Sequence, residues 1–273
     1  MRNVVVAGYA RSPFHLAGKG ALARVRPDDL AAQVIRGLIQ QTGVKAEDIE
    51  DIVLGCAFPE GEQGFNIARL IGLLADLPLS VGGMTVNRFC GSSMSSVHIA
   101  AGQIQLGAGE AFICAGVESM SRVPMMGFNP LPNPELAKKS AAYMGMGDTA
   151  ENVATKYQIT RAQQEAFAVA SQDNAAAAIT AGKLEAEIVP ITTKAGVVDK
   201  DGCIKDTSLK KMAMLKPAFL KGGTVTAANS SSISDGAAAL VMADFTGISY
   251  LIIIVAAIVP ALAYYASLFM SVI

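Results

Sequence analysis

The sequence predicts an α/β fold in which a mixed, mostly parallel sheet is covered by helices. Strand-like and helix-like segments alternate, with short turns between them, over about the first 120 residues. Hydrophobic residues make up 52% of the chain and charged residues 16%, a composition that excludes a disordered chain. At 273 residues, the chain is long enough to bury a substantial core.

The elements follow from local patterns taken in chain order. β-Branched and apolar runs indicate strands, whereas periodic apolar faces indicate helices. The first helix is the clearest, because Pro27 suits its first turn and Gly43 ends it. The predicted strands are 3–8, 49–58, 84–86, 110–117 and 189–193, with two more within 222–242. The other predicted helices are 66–74, 92–106, 148–156 and 161–181.

The alternation is interrupted after the fourth strand. Residues 119–147 are rich in Met, Pro and Gly, which predicts an inserted functional loop. Together with the helices that follow it, the insertion extends over about residues 119–220. The predicted domain comprises residues 1–244 and carries this insertion.

Charge and cysteine usage exclude several classes of protein. The net charge is −1, so no basic surplus indicates a nucleic-acid partner. The cysteines are irregularly spaced and no secretory signal precedes them, which argues against a disulfide scaffold and favours a reducing, cytoplasmic compartment for residues 1–244. A metal site is not expected, because no CxxC pair occurs and only two histidines are available. These residues are Cys56, Cys90, Cys114, Cys203, His15 and His98.

The end of the chain has a different composition. Asp244 is the last charged residue, and residues 245–273 carry no charge at all. This run is long enough for a membrane-spanning helix, even with a kink at Pro260. Its alternatives are a buried helix that packs on the domain and a segment that drives aggregation. We interpret residues 1–244 and 245–273 as two pieces of different origin.

The segment 85–96 is the strongest candidate for chemistry. A predicted strand ends there, Cys90 follows at a turn, Gly91 allows a tight backbone, and a helix begins at the serines. A thiol at the positive end of a helix dipole has a lowered pKa and becomes a nucleophile, and nearby N–H groups can receive an oxyanion. The alternative is that Cys90 is a small buried apolar residue. The residues alone leave both interpretations open.

The stretch Asn-Arg-Phe-Cys-Gly-Ser at 87–92 resembles the nucleophile segment of the thiolases, which transfer acyl groups between CoA thioesters. Three further segments resemble the same family in order and spacing. They are 115–121 (Ala-Gly-Val-Glu-Ser-Met-Ser), 148–154 in the family's substrate-binding loop region, and 223–239 in its CoA-contacting loop. The resemblance covers residues 1–244 and implies a layered thiolase-like domain.

The resemblance also implies an activity and the residues that perform it. It assigns an acyl-CoA C-acyltransferase of fatty acid metabolism, with Cys90 as the catalytic acyl acceptor and Ser231 in contact with the pantetheine arm. Acyl-CoA and CoA are then substrates, no separate cofactor is implied, and a homodimer through this half is expected. Gly145 stands where several members have a histidine, and Ala228 and Ser232 stand where many have glycine.

In the thiolases a histidine base and a second cysteine come from a second domain of similar fold. This sequence has no histidine after His98 and no cysteine after Cys203. Residues 245–273 instead are similar to a membrane segment of TRAP-type transporter permeases. The alternative to an active acyltransferase is therefore a truncated or chimeric, non-catalytic fragment, which the tail would associate with a membrane.

Overall fold

A computed structural model of the protein describes residues 3–205 and 208–244, which form two compact units. The first unit comprises the chain up to Phe128, Ala186–Cys203 and the described residues from Ile233 onward. The second comprises Asn129–Glu185 and the described part of 204–232. The strands are β1 (Val4–Arg11), β2 (His15–Leu16), β3 (Asp51–Gly55), β4 (Gly82–Val86), β5 (Ala111–Ser119), β6 (Ile191–Thr193), β7 (Gly196–Val198) and β8 (Ser234–Asp244). The helices are α1 (Pro27–Thr42), α2 (Ile67–Leu74), α3 (Ser92–Leu106), α4 (Pro134–Lys139), α5 (Met146–Tyr157), α6 (Arg161–Thr180) and α7 (Leu209–Ala213), and short 3-10 helices occupy Ala46–Asp48, Gly61–Gln63 and Glu185–Glu187.

The first unit is built on one mixed sheet. Its strand order is β1-β8-β5-β3-β4, and the short β2 also pairs with β8. β3 runs parallel to both β4 and β5, whereas β8 is antiparallel to both β1 and β5. Five of the six strands therefore point the same way and only β8 opposes them. The predicted α/β class with a mixed sheet is confirmed.

The two faces of the sheet carry separate apolar clusters. Side chains alternate along each strand, so Ile52 and Leu54 of β3 face one cluster and Val53 faces the other. The larger cluster is completed by α1 and α2, and the smaller one by α3. Helix α1 begins at Pro27 and ends at Gly43, whose positive φ of 68° lets its N–H bond the Ile39 carbonyl, as predicted.

Two local predictions were wrong. Residues 222–242 were expected to hold two strands, but only β8 forms there, because the preceding loop binds its own backbone. The Asn229 Oδ1 accepts the Thr226 N–H at 2.6 Å, which removes that donor from any ladder. The stretch 119–147 was expected to be a loop, yet it contains α4. Asn133 caps that helix by accepting the N–H groups of Glu135 and Leu136.

A buried ion network joins the end of β1 to the segment 186–203. The Arg11 guanidinium donates to both carboxylate oxygens of Asp201 at 2.8 Å and to Glu187 Oε1 at 2.6 Å. The side chain of Arg11 is 8% exposed, and those of Asp201 and Glu187 are 13% and 14% exposed. Two carboxylates are therefore held out of water by a single cation.

No helix within 3–205 or 208–244 is long and apolar enough to cross a membrane. The predicted membrane-spanning segment 245–273, with its likeness to TRAP-type permeases, lies outside the described residues. The assignment of 1–244 as one domain with an insertion over about 119–220 stays a prediction.

Replacement of the buried cation should destabilise the first unit strongly. We expect Arg11→Met to lower the free energy of unfolding by about 3 to 5 kcal/mol, because two buried carboxylates lose their counter-ion. Arg26→Met is the matched control. Arg26 also pairs with an acid, Asp28, but its side chain is 48% exposed, so its loss should cost about 1 kcal/mol or less. Urea denaturation measures both, and equal effects of the two substitutions would contradict the prediction.

Candidate active site

Cys90 lies in a strained turn between β4 and α3. The residue before it, Phe89, has a left-handed φ of 46°, a conformation that costs a non-glycine residue about 1 to 2 kcal/mol. The N–H of Gly91 bonds the Arg88 carbonyl at 3.0 Å, and the N–H of Ser92 bonds the Phe89 carbonyl at 3.0 Å. Gly91, which the sequence indicated as allowing a tight backbone, lies within this turn with an ordinary φ of −89°, and the left-handed conformation falls on Phe89.

Side chains on both sides of Phe89 hold this turn in place. Asn87 Oδ1 accepts the Phe89 N–H at 2.8 Å. Ser92 Oγ accepts the Arg88 N–H at 2.8 Å and donates to the Phe89 carbonyl at 2.5 Å. The strained conformation is thus fixed by three hydrogen bonds, which is how such strain persists in a folded protein. The thiol of Cys90 is half-buried immediately ahead of the helix.

Two glycines let α3 begin directly on the sheet. Gly55 and Gly116 are paired residues at the ends of β3 and β5. A Cβ atom on Gly55 would overlap the backbone of Ser92 and Ser93, and one on Gly116 would overlap the Ser93 hydroxyl. The first turn of α3 therefore sits on the strand ends because both positions lack a side chain. Sequence reasoning identified Gly116 only by resemblance, as a strand-end glycine, and missed Gly55, because the role of both depends on the parallel pairing of β3 with β5.

The four cysteines differ in exposure. Burial raises the pKa of Cys56 to about 12, and the negative charge of Glu118 adds to this. Burial also raises the pKa of Cys114, whose Sγ donates to the Ser96 carbonyl at 3.5 Å. Both residues are at most 2% exposed, whereas Cys90 and Cys203 are half-buried. Because the thiolate is the reactive form, Cys56 and Cys114 are unsuited to nucleophilic chemistry.

The segment 115–121 is anchored to β8. The fully buried Asp235 accepts the Ser119 hydroxyl at 3.1 Å, the Ser121 N–H at 2.9 Å and the Ser121 hydroxyl at 2.5 Å. Glu118, in the same segment, accepts the Ala57 N–H at 2.8 Å. Sequence reasoning identified this segment only by its resemblance and did not identify Asp235 as its anchor.

Ser231 lies in the second unit, in a loop held by buried polar side chains. Glu151 of α5 accepts the N–H groups of Thr224 and Val225, and Asn229 Nδ2 donates to Gln164 of α6 at 3.1 Å. Ser231 itself is half-buried, and its hydroxyl donates to the Ser232 carbonyl at 3.5 Å. Cys90 belongs to the first unit, so each of the two predicted site residues is described within its own unit.

The two histidines occupy other places. His15 Nδ1 accepts the Ala21 N–H at 3.3 Å, and its Nε2 bonds the Lys200 carbonyl at 3.0 Å. His98 is exposed on α3, eight residues beyond Cys90 and hence about 12 Å further along the helix axis. Gly145, where several thiolases have a histidine, precedes the first residue of α5. In the described part of the chain, no group of three or more His, Cys, Asp or Glu side chains could hold a metal ion.

Comparisons with known proteins agree on one family. The family profile described as "Thiolase, N-terminal domain" matches residues 4–245. The 3-ketoacyl-CoA thiolase of Bacillus subtilis (strain 168) is 45% identical over 89% of this chain and 66% of its own length, and that of Psychrobacter cryohalolentis is 43% identical over 88% and 64%. The crystal structure of the Bacillus anthracis acetyl-CoA acetyltransferase matches with a TM-score of 0.81 at 36% identity, over 89% of this chain and 66% of that one. Human mitochondrial 3-ketoacyl-CoA thiolase in complex with CoA matches with a TM-score of 0.80 at 29% identity, over 89% and 65%. The chain thus spans 64% to 66% of the length of these relatives.

A second substitution, Ser93→Ala, should restore stability to only one of two glycine variants under α3. We expect Gly116→Ala and Gly55→Ala each to lower the free energy of unfolding by about 1 to 3 kcal/mol, because each new methyl group overlaps the first turn of α3. Ser93→Ala should restore most of the loss in Gly116→Ala, since it removes the overlapping hydroxyl. It should not rescue Gly55→Ala, where the overlap is with backbone. Thermal unfolding of the single and double variants tests this, and rescue of both glycine variants would contradict it.

Alkylation should separate the cysteines by burial. In the folded protein at about pH 8, we expect iodoacetamide to modify Cys56 and Cys114 far more slowly than Cys90 and Cys203, because only the thiolate reacts and burial keeps the first pair protonated. Peptide mass spectrometry after timed labelling measures each rate. Labelling in concentrated urea is the control, where all four should react at similar rates. Rapid modification of Cys114 in the folded protein would contradict the burial.

Proposed function

We propose, because this chain belongs to the thiolase family, that it accepts an acyl group on Cys90 as part of an acyl-CoA C-acyltransferase. The observation that carries the proposal is the position of Cys90. Its half-buried thiol is held in a strained turn immediately ahead of α3. A thiolate there gains from the positive end of the helix dipole, an effect of about 0.3 to 1 kcal/mol.

The chemistry has two halves. The Cys90 thiolate attacks the carbonyl carbon of acetyl-CoA, a C–S bond to Cys90 forms, the C–S bond to CoA breaks, and CoA leaves as a thiol after taking a proton. With a 3-ketoacyl-CoA, the thiolate attacks the keto carbon instead. The bond between C2 and C3 then breaks, and C2 takes a proton to give acetyl-CoA. A second CoA thiol removes the acyl group from Cys90 and restores the thiol.

CoA is a substrate in this scheme, and the second unit supplies its binding loop. We propose that Ser231 contacts the pantetheine arm, with the loop held by Glu151 and Gln164. The loop rests on buried hydrogen bonds, which supports a preformed binding surface. By family likeness we also propose a homodimer and a cytoplasmic location for residues 1–244.

Complete thiolysis needs a base for the thiol and a group that moves the proton at C2. His15 is hydrogen-bonded elsewhere and His98 is exposed two turns into α3, so neither histidine is positioned at the turn. This placement favours a second candidate function. In that case Cys90 accepts the acyl group but the chain does not turn over, since losing members of a catalytic unit costs several orders of magnitude.

Acyl labelling tests the step that both functions share, and a thiolysis assay distinguishes them. Incubation with acetyl-CoA should add one acetyl group to Cys90, which mass spectrometry of the intact chain and its peptides would detect. Cys90→Ser should abolish the addition, whereas the control Cys203→Ser should not. Absence of acetyl at Cys90 would contradict both candidate functions. Thiolysis of acetoacetyl-CoA at about 1 to 1000 per second, the range of typical enzymes, would contradict the second.

A further inference from the structure

We propose that Glu118 is a positioning residue that, with Gln63, holds the Cys90 turn through a continuous chain of hydrogen bonds. This inference rests on the proposed function, in which Cys90 is the nucleophile. Glu118 acts on the turn through the backbone of Ala57 and the side chain of Asn87.

The series of hydrogen bonds begins at Gln63, which is completely buried in the 3-10 helix Gly61–Gln63. Its Oε1 accepts the Ser119 N–H at 2.7 Å, and its Nε2 donates to the Phe58 carbonyl at 2.8 Å and to Glu118 Oε1 at 2.6 Å. The amide therefore has a fixed orientation, because each of its ends has a partner of one kind only. This orientation aims its donor at Glu118.

Glu118 connects Gln63 to the loop after β3 by hydrogen bonds. Its other oxygen, Oε2, accepts the Ala57 N–H at 2.8 Å. The carbonyl of the same residue, Ala57, accepts from Asn87 Nδ2 at 3.0 Å, and Asn87 Oδ1 accepts the Phe89 N–H at 2.8 Å. Every link is within hydrogen-bonding distance, and the last one fixes the residue with the left-handed φ.

Burying the carboxylate of Glu118 costs free energy unless hydrogen-bond donors compensate for the lost water. Burial raises the pKa of Glu118, and the hydrogen bonds from Ala57 and Gln63 oppose that rise. The ion pairs within residues 3–205 and 208–244 are made with acids other than Glu118. Their cations are Arg11, Arg26, Arg36, Arg122, Lys138 and Arg161. The neighbouring titratable group is the Cys56 thiol, on which Glu118 acts as a like charge. N–H donors thus hold this carboxylate, and hydrogen bonds to an ionised acceptor are stronger than neutral ones.

Two substitutions interrupt the chain at different links. Glu118→Gln keeps the shape but sets an amide donor against either the Ala57 N–H or the Gln63 amide. Asn87→Ser keeps an acceptor for the Phe89 N–H, as Ser does in local turns, but removes the donor to Ala57. Glu187→Gln is the matched control, because it weakens a buried ion pair of the same unit that makes no contact with the turn.

The readout is the rate at which iodoacetamide modifies Cys90 in the folded, full-length chain, followed across pH by peptide mass spectrometry. We expect Glu118→Gln and Asn87→Ser each to slow Cys90 by about fivefold, equivalent to about 1 kcal/mol at 25 °C. The double variant should be no slower than either single one, because both interrupt the same chain. Glu187→Gln should lower the melting temperature and leave the Cys90 rate unchanged.

The possible failures are distinguishable. Parent-like Cys90 rates in both folded variants would overturn the positioning role and leave the proposed function intact. An equal slowing by Glu187→Gln would also overturn it, since the effect would then follow stability alone. If Cys90 in the unaltered chain reacts no faster than Cys203, the nucleophile of the proposed function fails, and the positioning role fails with it.

Discussion

The direct contact of α3 with the ends of β3 and β5 is the constraint on which the first unit depends. Gly55 and Gly116 have no side chains, so the backbone of the helix start lies where a Cβ would otherwise be. The chain must then pass from the end of β4 into this helix within a few residues. The left-handed Phe89 and the hydrogen bonds around it are the local consequence. The strained turn that holds Cys90 is therefore a consequence of this close packing.

At the end of β5, buried polar side chains hold the segments together, as apolar packing does in the rest of the first unit. Gln63 and Asp235 are completely buried, and each binds the segment that ends β5. Their hydrogen bonds tie the 3-10 helix Gly61–Gln63 and the start of β8 to the end of β5. Buried polar networks of this kind are costly when incomplete and rigid when satisfied. Rigidity at the end of β5 would serve the proposed function, which needs the Cys90 turn to be held in place.

Local sequence patterns predicted the elements near the site well and their spatial relations poorly. Helix α3 has the predicted bounds, 92–106, with the serines at its start, and Cys90 precedes it as predicted. The positive φ fell on Phe89, where hydrogen bonds of Asn87 and Ser92 hold the turn, and no local propensity indicates a left-handed phenylalanine. The roles of Gly55 and Gly116 required the strand register, which the sequence alone does not provide. The segment before β8 was expected to hold a strand but is a loop, because its polar side chains bind its own backbone, and the sequence pattern does not reveal such bonds.

The position of β8 bears on how the chain folds as it is made. This strand lies between β1 and β5, yet it is the last one described, so its pairing with β1 joins the two ends of the sequence that the structure covers. Such non-local pairing is slow, because a long loop must close before any contact compensates for its entropy. During synthesis, β1 would leave the ribosome long before its partner and would wait as an unpaired edge. The strand order therefore leaves an unpaired, aggregation-prone strand edge on the nascent chain until β8 has been made.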